Sequence, residues 1–345
     1  MSICVYGISA LELYRSSGRL LPDLLDGPRV ETLAGCSLPP RGFLQDDMER
    51  AGVRTRPYHV LVSEPNTWRG RDDVVCHKLS GGVPGATYLQ ASRDLLVVCP
   101  ELMFVELAAS GAYDVLDLVE IGYELCGTYM LDGSWDGFTT TERQIAYADG
   151  LRAMADAWSP RRGARLAREA ARLVHNGAHS PMETVVAMLL SYPQRYGGLG
   201  LSSIRLNVRC ETPDGPRHPD ILIPEAGVVV EYKGLRYHSA EQAARDDRRQ
   251  NALVGAGYAV INVWYEDVME GHLYERLVAS IFRALGRRHR PRAVAFEANQ
   301  LLLRHRLLPR FRALQGGCDA WRAGAQAHMR EGGPQGAFDE YLDIP

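Results

Sequence analysis

HPDILIPEAGVVVEYKG, residues 218–234, decides how the second half of this chain is read. Two short apolar runs, HPDILIP (218–224) and GVVVEYK (227–233), flank Pro-Glu-Ala-Gly, whose proline and glycine suit a compact turn. With Pro224 to Gly227 closing that turn, opposed residue numbers sum to 451, so Ile223 faces Val228, Ile221 faces Val230 and Asp220 faces Glu231. Strand side chains alternate between faces. Ile221, Ile223, Val228, Val230 and Tyr232 therefore take one face, and Asp220, Glu231 and Lys233 the other. Carboxylates opposed at about 5 Å between Cβ atoms destabilise a sheet, so a folded chain must hold a cation between them.

Two carboxylates at this spacing, with the carbonyl of the intervening Tyr232, make an oxygen-rich set suited to Mg²⁺, with Mn²⁺ as a substitute. An ammonium beside such an ion positions or helps deprotonate an attacking water and stabilises charge on phosphorus. Arginine serves that role poorly, because it is a broad planar fork that does not deprotonate. The chain holds 39 Lys+Arg, and of these only Lys78 and Lys233 are lysine. At that ratio a lysine falls at a given basic position about one time in twenty, so Lys233 is read as required by chemistry. A second reading makes all three structural: Asp220 and Glu231 in salt bridges with nearby arginines, and Lys233 a solvated lysine that neutralises them.

The surrounding segments give an element order. SPMETVVAMLLSY (180–192) starts a helix, with Ser180 as N-cap, Pro181 at the first helical position and Glu183 completing an S-x-x-E capping box. SIRLNVRC (203–210) alternates like a strand, SAEQAARDDRRQNALVGAG (239–257) reads as a helix, and YAVINVWYED (258–267) as a mostly apolar strand. The order is helix, three strands, helix, strand. LYERLVASIFRALGRRHRPRAVAF (273–296) is an amphipathic helix running into a basic cluster, and LLLRHRLLPRFR (301–312) adds another helix.

Pro219-Asp220 followed by Glu231-Tyr232-Lys233, behind a helical Glu183 and in this element order, resembles the PD-(D/E)xK nuclease superfamily. Residues 180–267, including RDDRRQNALVGAGYAVINVW (245–264), look more narrowly like the compact domains of very-short-patch-repair endonucleases. The resemblance covers about a quarter of the chain and implies a restriction-endonuclease-like αβββαβ core. It implies that Asp220 and Glu231 bind Mg²⁺, that Glu183 on the first helix completes the site, and that Lys233 assists catalysis. Arg245, Arg248, Arg249 and His238, which follow the motif, are candidates for nucleic-acid contact; a solvated charged face and loop packing are the alternatives.

The first half reads as α+β. YHVLVSE (58–64) and DLLVVCPELMFVELAAS (94–110) carry strands and the start of a helix with Pro100 in its first turn, and DVLDLVEIGYELCGTY (114–129) a second helix. No catalytic constellation is evident there. Residues 94–129 are similar to N-terminal regions of abortive-infection antitoxin-like proteins that carry a nuclease-like domain, although no winged-helix segment is evident. The expected organisation is an accessory domain over 1–157, a basic helix and hinge at 158–179, a nuclease-like domain over 180–312 and a loose tail over 313–345. The overall fold class is α/β in the nuclease-like core and α+β for the whole chain.

Charge divides along the same line. Residues 1–150 hold 12 Lys+Arg against 21 Asp+Glu, and the remainder holds 27 against 21. The basic half suits phosphate contact, and the acidic half suits a protein partner or a homodimer contact. The seven cysteines are scattered without a C-x-x-C pair and read as reduced, mostly buried thiols. The opening MSICVYGISALELYRSSG lacks a signal pattern, and no stretch approaches the roughly 20 apolar residues of a membrane span, so the reading is a cytoplasmic protein. The expected function is a Mg²⁺-dependent endonuclease acting on DNA in preference to RNA, in a phage-defence or toxin-antitoxin setting. The alternative is a nuclease-derived binding or regulatory module without activity.

Overall fold

Ile3–Val5, three consecutive buried residues, form a central strand of a six-stranded mixed sheet in the computed structural model of the chain. The structure describes residues 2–17, 21–33, 35–63, 71–79, 82–132, 137–234 and 240–316, with the side chains of 132, 240–246 and 309–316 outside that description. The N-terminal half runs β1 (Ile3–Val5), α1 (Gly7–Ser17), α2 (Leu21–Asp26), β2 (Arg29–Val30), α3 (Arg41–Arg50), β3 (Tyr58–Leu61), β4 (Val74–His77), β5 (Tyr88–Ser92) and β6 (Leu95–Val98). It continues through α4 (Pro100–Ser110), α5 (Val115–Leu125), the hairpin β7 (Tyr129–Asp132) and β8 (Gly137–Thr140), α6 (Ala148–Ala157) and α7 (Ala164–Ala171). The sheet order is β2-β5-β6-β1-β3-β4, with β1 parallel to β6 and antiparallel to β3.

Local chemistry explains the helix limits. α4 opens with Pro100 at its first position and closes on Gly111 in the left-handed region. α5 opens on a capping box: Asp114 accepts from the Asp117 N–H, and the Asp117 carboxylate accepts from the Asp114 N–H.

The C-terminal half runs α8 (Pro181–Ser191), β9 (Arg205–Leu206), β10 (Ile221–Ile223), β11 (Val228–Tyr232), α9 (Ala240–Gly255), β12 (Ala259–Val263), α10 (Tyr265–Met269), α11 (Gly271–Ala284) and α12 (Phe296–Gly316). From α8 to β12 this is the helix, three strands, helix, strand order, and the sheet runs β12-β11-β10-β9. The chain as a whole is α+β, with both larger sheets mixed. Several boundaries differ from the sequence reading. The strand at 203–210 is only Arg205–Leu206, because Asn207 turns to φ 48 and ends the pairing. The strand at 258–267 stops at Val263, where Trp264 and Asp267 start α10. The amphipathic helix at 273–296 ends at Ala284, and α12 begins anew at Phe296 with its backbone running through Pro309. The expected loose tail over 313–345 lies mostly outside the described residues.

One buried apolar cluster runs from β1 through α4 and α5 into α8, the β10–β11 hairpin, α11 and α12. α7, the basic helix, packs on α4, α5 and α6. The Asn176-Gly177 turn, read as a hinge, is tied down: Asn176 Oδ1 accepts from the Ala148 N–H at 2.8 Å, and the Gly177 N–H donates to the Cys126 carbonyl at 2.8 Å. Arg306 of α12 pairs with Asp114 and, at 3.0 Å, with Asp117 at the start of α5. Of the described cysteines, Cys4, Cys36, Cys99, Cys126 and Cys210 are buried free thiols and Cys76 is a half-buried one. Among the described residues no helix is long and apolar enough to cross a membrane.

The β10–β11 hairpin closes through one turn at Pro224–Ala226 and Gly227, which sits at φ 59. A Cβ there would meet only Tyr258 Cδ1 at 3.9 Å, so the cost of a side chain is conformational. Gly227→Val should lower stability by roughly 1–2 kcal/mol, and Gly227→Asn by less, since asparagine tolerates the left-handed region. Equal denaturation midpoints for the valine variant and the parent would show that this turn does not constrain the hairpin.

Candidate active site

The antiparallel register Ile221↔Val230, Leu222↔Val229, Ile223↔Val228 is the one the 218–234 stretch dictates. One further step places Asp220 opposite Glu231 just beyond the last paired residues. There the Tyr232 N–H donates to Asp220 Oδ2 at 2.8 Å. Ile221, Ile223, Val228 and Val230 point into the large core, while Leu222 and Val229 meet Leu253 of α9 and Cys210 in a small second cluster. Asp220 and Glu231 share the parity of that second face and sit at its end, beside α9. On the other side of Glu231, parallel pairing sets Asn262 of β12 next to it.

The face carries the three motif residues as a connected group. The Glu231 side chain is 6% exposed and that of Lys233 20%, with Lys233 Nζ 3.5 Å from Glu231 Oε2. Arg249 of α9 reaches in from above. Its Nη2 lies 3.5 Å from Glu231 Oε1 and 4.0 Å from Asp220 Oδ1, and it donates to the His218 carbonyl. The contact to Glu231 is an ion pair without hydrogen-bond geometry. Glu231 Oε1, Arg249 Nε and Asn262 Oδ1 are all buried with no hydrogen-bond partner. Asn262 instead uses its amide N–H to reach Gln250 Oε1 at 3.0 Å. The carboxyl of Asp220 is pushed well above its ordinary value, chiefly by burial and then by the charges of Glu183 and Glu231; the Tyr232 N–H and Arg249 oppose this.

Glu183 stands on α8, 8% exposed, with its carboxylate already engaged. Oε1 accepts from Ser180 Oγ at 2.9 Å, and Oε2 accepts from the His179 N–H at 2.9 Å and from Asn207 Nδ2 at 2.7 Å. The capping box is thus one-sided: Ser180 Oγ caps the Glu183 N–H, but the carboxylate turns to His179 and Asn207. Burial raises the Glu183 pKa, opposed by those hydrogen bonds. Asn207 joins the helix to the hairpin. Its Nδ2 also donates to the Gly177 carbonyl at 2.9 Å, and its backbone N–H is shared between the carbonyls of Pro219 and Asp220, each at 3.1 Å.

Asn207 and Asn262 went unremarked in the sequence reading. Each had a signal, an asparagine inside an otherwise alternating or apolar run, which marks either a turn or a polar group with a task. Among the proposed nucleic-acid contacts, Arg248 is exposed on α9, and Arg249 is drawn into the acid pair. His238 and the Arg245 side chain lie outside the described residues. The basic residues Arg287, Arg288, Arg290 and Arg292, between α11 and α12, are all exposed.

Among the described residues, no group of three or more His, Cys, Asp or Glu side chains converges as a closed metal cage would. The donor set is a pair of carboxylates with one oxygen that accepts no hydrogen bond, which fits an ion that takes one or two carboxylates and retains its waters, as Mg²⁺ does. Comparison of the chain with protein-family models, with curated proteins and with solved structures gives no match.

The raised Asp220 pKa fixes the sign of a pH effect. An acid whose folded pKa exceeds its unfolded value of about 3.9 binds more protons in the native state, so stability falls as pH rises through that interval. Asp220→Asn keeps an oxygen acceptor for the Tyr232 N–H and removes the charge. In EDTA it should therefore raise the melting temperature by several degrees at pH 7–8 and have little effect near pH 4. A variant less stable than the parent at pH 8 would contradict the dominance of burial and like charge at this carboxyl.

Proposed function

We propose that this chain is a Mg²⁺-dependent nuclease that hydrolyses phosphodiester bonds, acting on DNA in preference to RNA. One observation carries the reading: two nearly buried carboxylates, Asp220 and Glu231, are opposed across a hairpin with a lysine ammonium 3.5 Å from one of them and a carboxylate oxygen between that accepts no hydrogen bond. Like charges at such spacing weaken a fold unless a cation joins them. We also read α8 to β12 as a restriction-endonuclease-like core, on its element order and on the place of the acids at the strand ends.

In this reading Asp220 and Glu231 hold the ion, with the Tyr232 carbonyl adjoining. When bound, Mg²⁺ supplies Lewis-acid polarisation of a phosphoryl oxygen. Lys233, 20% exposed at its side chain, reaches solvent from beside Glu231 and orients the attacking water. Its ammonium also stabilises negative charge that develops on the phosphoryl group. Water adds to phosphorus, the bond to the leaving oxygen breaks, and the water's proton ends on that oxygen. Glu183 acts one step back: both its oxygens are occupied, and through Asn207 it fixes the backbone at Pro219 and Asp220. Arg248 on α9 and the exposed arginines between α11 and α12 supply sites for phosphate. A phage-defence or toxin-antitoxin setting, with the acidic N-terminal half as partner surface or dimer contact, is the biological context this activity would fit.

The competing reading, a nuclease-derived binding or regulatory module, draws on Arg249, which already sits against both acids. Cleavage of a panel of single- and double-stranded DNA and RNA in Mg²⁺, Mn²⁺ or EDTA separates the two. The nuclease reading expects metal-dependent cutting that Lys233→Ala lowers by about 10²–10⁴-fold, with nucleic-acid binding retained. Intact turnover in that variant would sink the mechanism, and absence of both cutting and metal binding in the parent would favour the module.

A further inference from the structure

The pairing of Arg249 has a second aspect, which rests on the metal-site reading above. We propose that Arg249 is a resident counter-cation of the acid pair, displaced by the divalent ion and handed to a substrate phosphate, so that metal entry and nucleic-acid binding are coupled.

The argument begins with charge. Lys233 approaches Glu231 at Oε2, on the side away from Oε1. Arg249 is the cation placed against the other side, 3.5 Å from Glu231 Oε1 and 4.0 Å from Asp220 Oδ1. It therefore stands where an ion shared by the two carboxylates would stand. A guanidinium and a divalent cation repel at that separation, and the pair cannot serve both at full strength.

The hold is also loose. An arginine built into a permanent carboxylate pair uses its fork, with two parallel hydrogen bonds. Arg15 and Glu124 in the same protein do so, at 2.9 and 2.6 Å. Arg249 does not: its hydrogen bond goes to the neutral His218 carbonyl, its Nε is buried without a hydrogen bond, and its contacts to the acids lack hydrogen-bond geometry. Its side chain is 40% exposed, so solvent and a ligand can reach it. A phosphate offers the bidentate geometry that the acids fail to provide here. Arg249 lies on the same helix as exposed Arg248, on the face of the sheet where the acids open. A phosphate reaching the acids meets this guanidinium, and its departure frees the Glu231 oxygen that lacks a hydrogen bond.

The test is Mn²⁺ titration of the full chain by calorimetry, for the parent, Arg249→Ala, Glu231→Gln and the double variant, with and without a phosphorothioate oligonucleotide. Removing the competing cation should tighten Mn²⁺ binding about tenfold, in the range of ordinary site coupling. The oligonucleotide should tighten Mn²⁺ binding to the parent and leave Arg249→Ala almost unchanged. Glu231→Gln should abolish binding in either background. Arg249→Gln, which keeps a donor for the His218 carbonyl, gives the same readout if alanine disturbs α9. Equal or weaker Mn²⁺ binding in both Arg249 variants, with Glu231→Gln still abolishing it, overturns the counter-cation and leaves the metal site standing. No Mn²⁺ binding to parent or Arg249 variants removes the metal reading and this inference with it.

Discussion

The structure of the C-terminal half depends on one unfavourable pairing made tolerable: Asp220 opposite Glu231 at the open end of a two-stranded hairpin. The turn at 224–227 sets the register, and a slip of one residue would swing every side chain of a strand to the other face. Ile221, Ile223, Val228 and Val230, each at most 1% exposed, oppose that slip, since full burial of each such side chain contributes roughly 1.5–3 kcal/mol. The apolar face thus supplies the free energy that keeps two carboxylates together on the opposite face. Stability and the site are joined through the same five-residue strand.

Around that pairing the molecule places backbone as well as charge. The Tyr232 N–H satisfies one oxygen of Asp220, and Asn207 pins the carbonyls on either side of the Pro219–Asp220 peptide. Asn207 achieves this by leaving the strand for φ 48, which lets its amide reach Glu183 and Gly177 together. α8, the Gly177 turn and the hairpin are in this way fastened at a single residue. Glu183, which the capping pattern alone would explain, gains a second role because its carboxylate faces Asn207 and not the Ser180 N–H.

What was legible in the sequence followed from local rules with few alternatives. The hairpin register came from a turn with a proline and a glycine, the start of α4 from Pro100, that of α8 from its cap, and the face of Lys233 from simple alternation. What was not legible required distant partners. The break at Asn207 is stabilised by groups at Gly177, Glu183 and Pro219, none of which its own strand pattern contains. The early end of β12 reflects Asp267 accepting from the Trp264 N–H, a cap whose apolar neighbours looked like strand. Arg249 reads as a phosphate contact or a solvated helix residue until the helix is laid over the sheet, when its guanidinium falls on the acids. The tightness of the Asn176-Gly177 turn likewise came from partners at Cys126 and Ala148.

The protein offers its own standard for telling structural acids from the candidate site. Glu124, 1% exposed, is held by both nitrogens of the Arg15 fork and by the Leu131 N–H, so its charge is fully compensated. Glu106, 2% exposed, accepts from the Gly7 N–H at the start of α1 through one oxygen, leaves the other buried without a hydrogen bond, and has its pKa raised by burial. The first is a complete solution to burying a carboxylate, and the second is a single carboxyl group whose charged form burial disfavours. Asp220 and Glu231 have no such fork, and they are two acids at one place. They lie side by side, with cations at 3.5 to 4.0 Å that make no fork and a buried oxygen that no donor reaches. A chain able to compensate Glu124 so fully has the means to do the same here with a single well-placed arginine fork. The juxtaposition of two incompletely paired acids at the end of the hairpin sets them apart from Glu124 and Glu106, and it leaves coordination capacity for a ligand of positive charge.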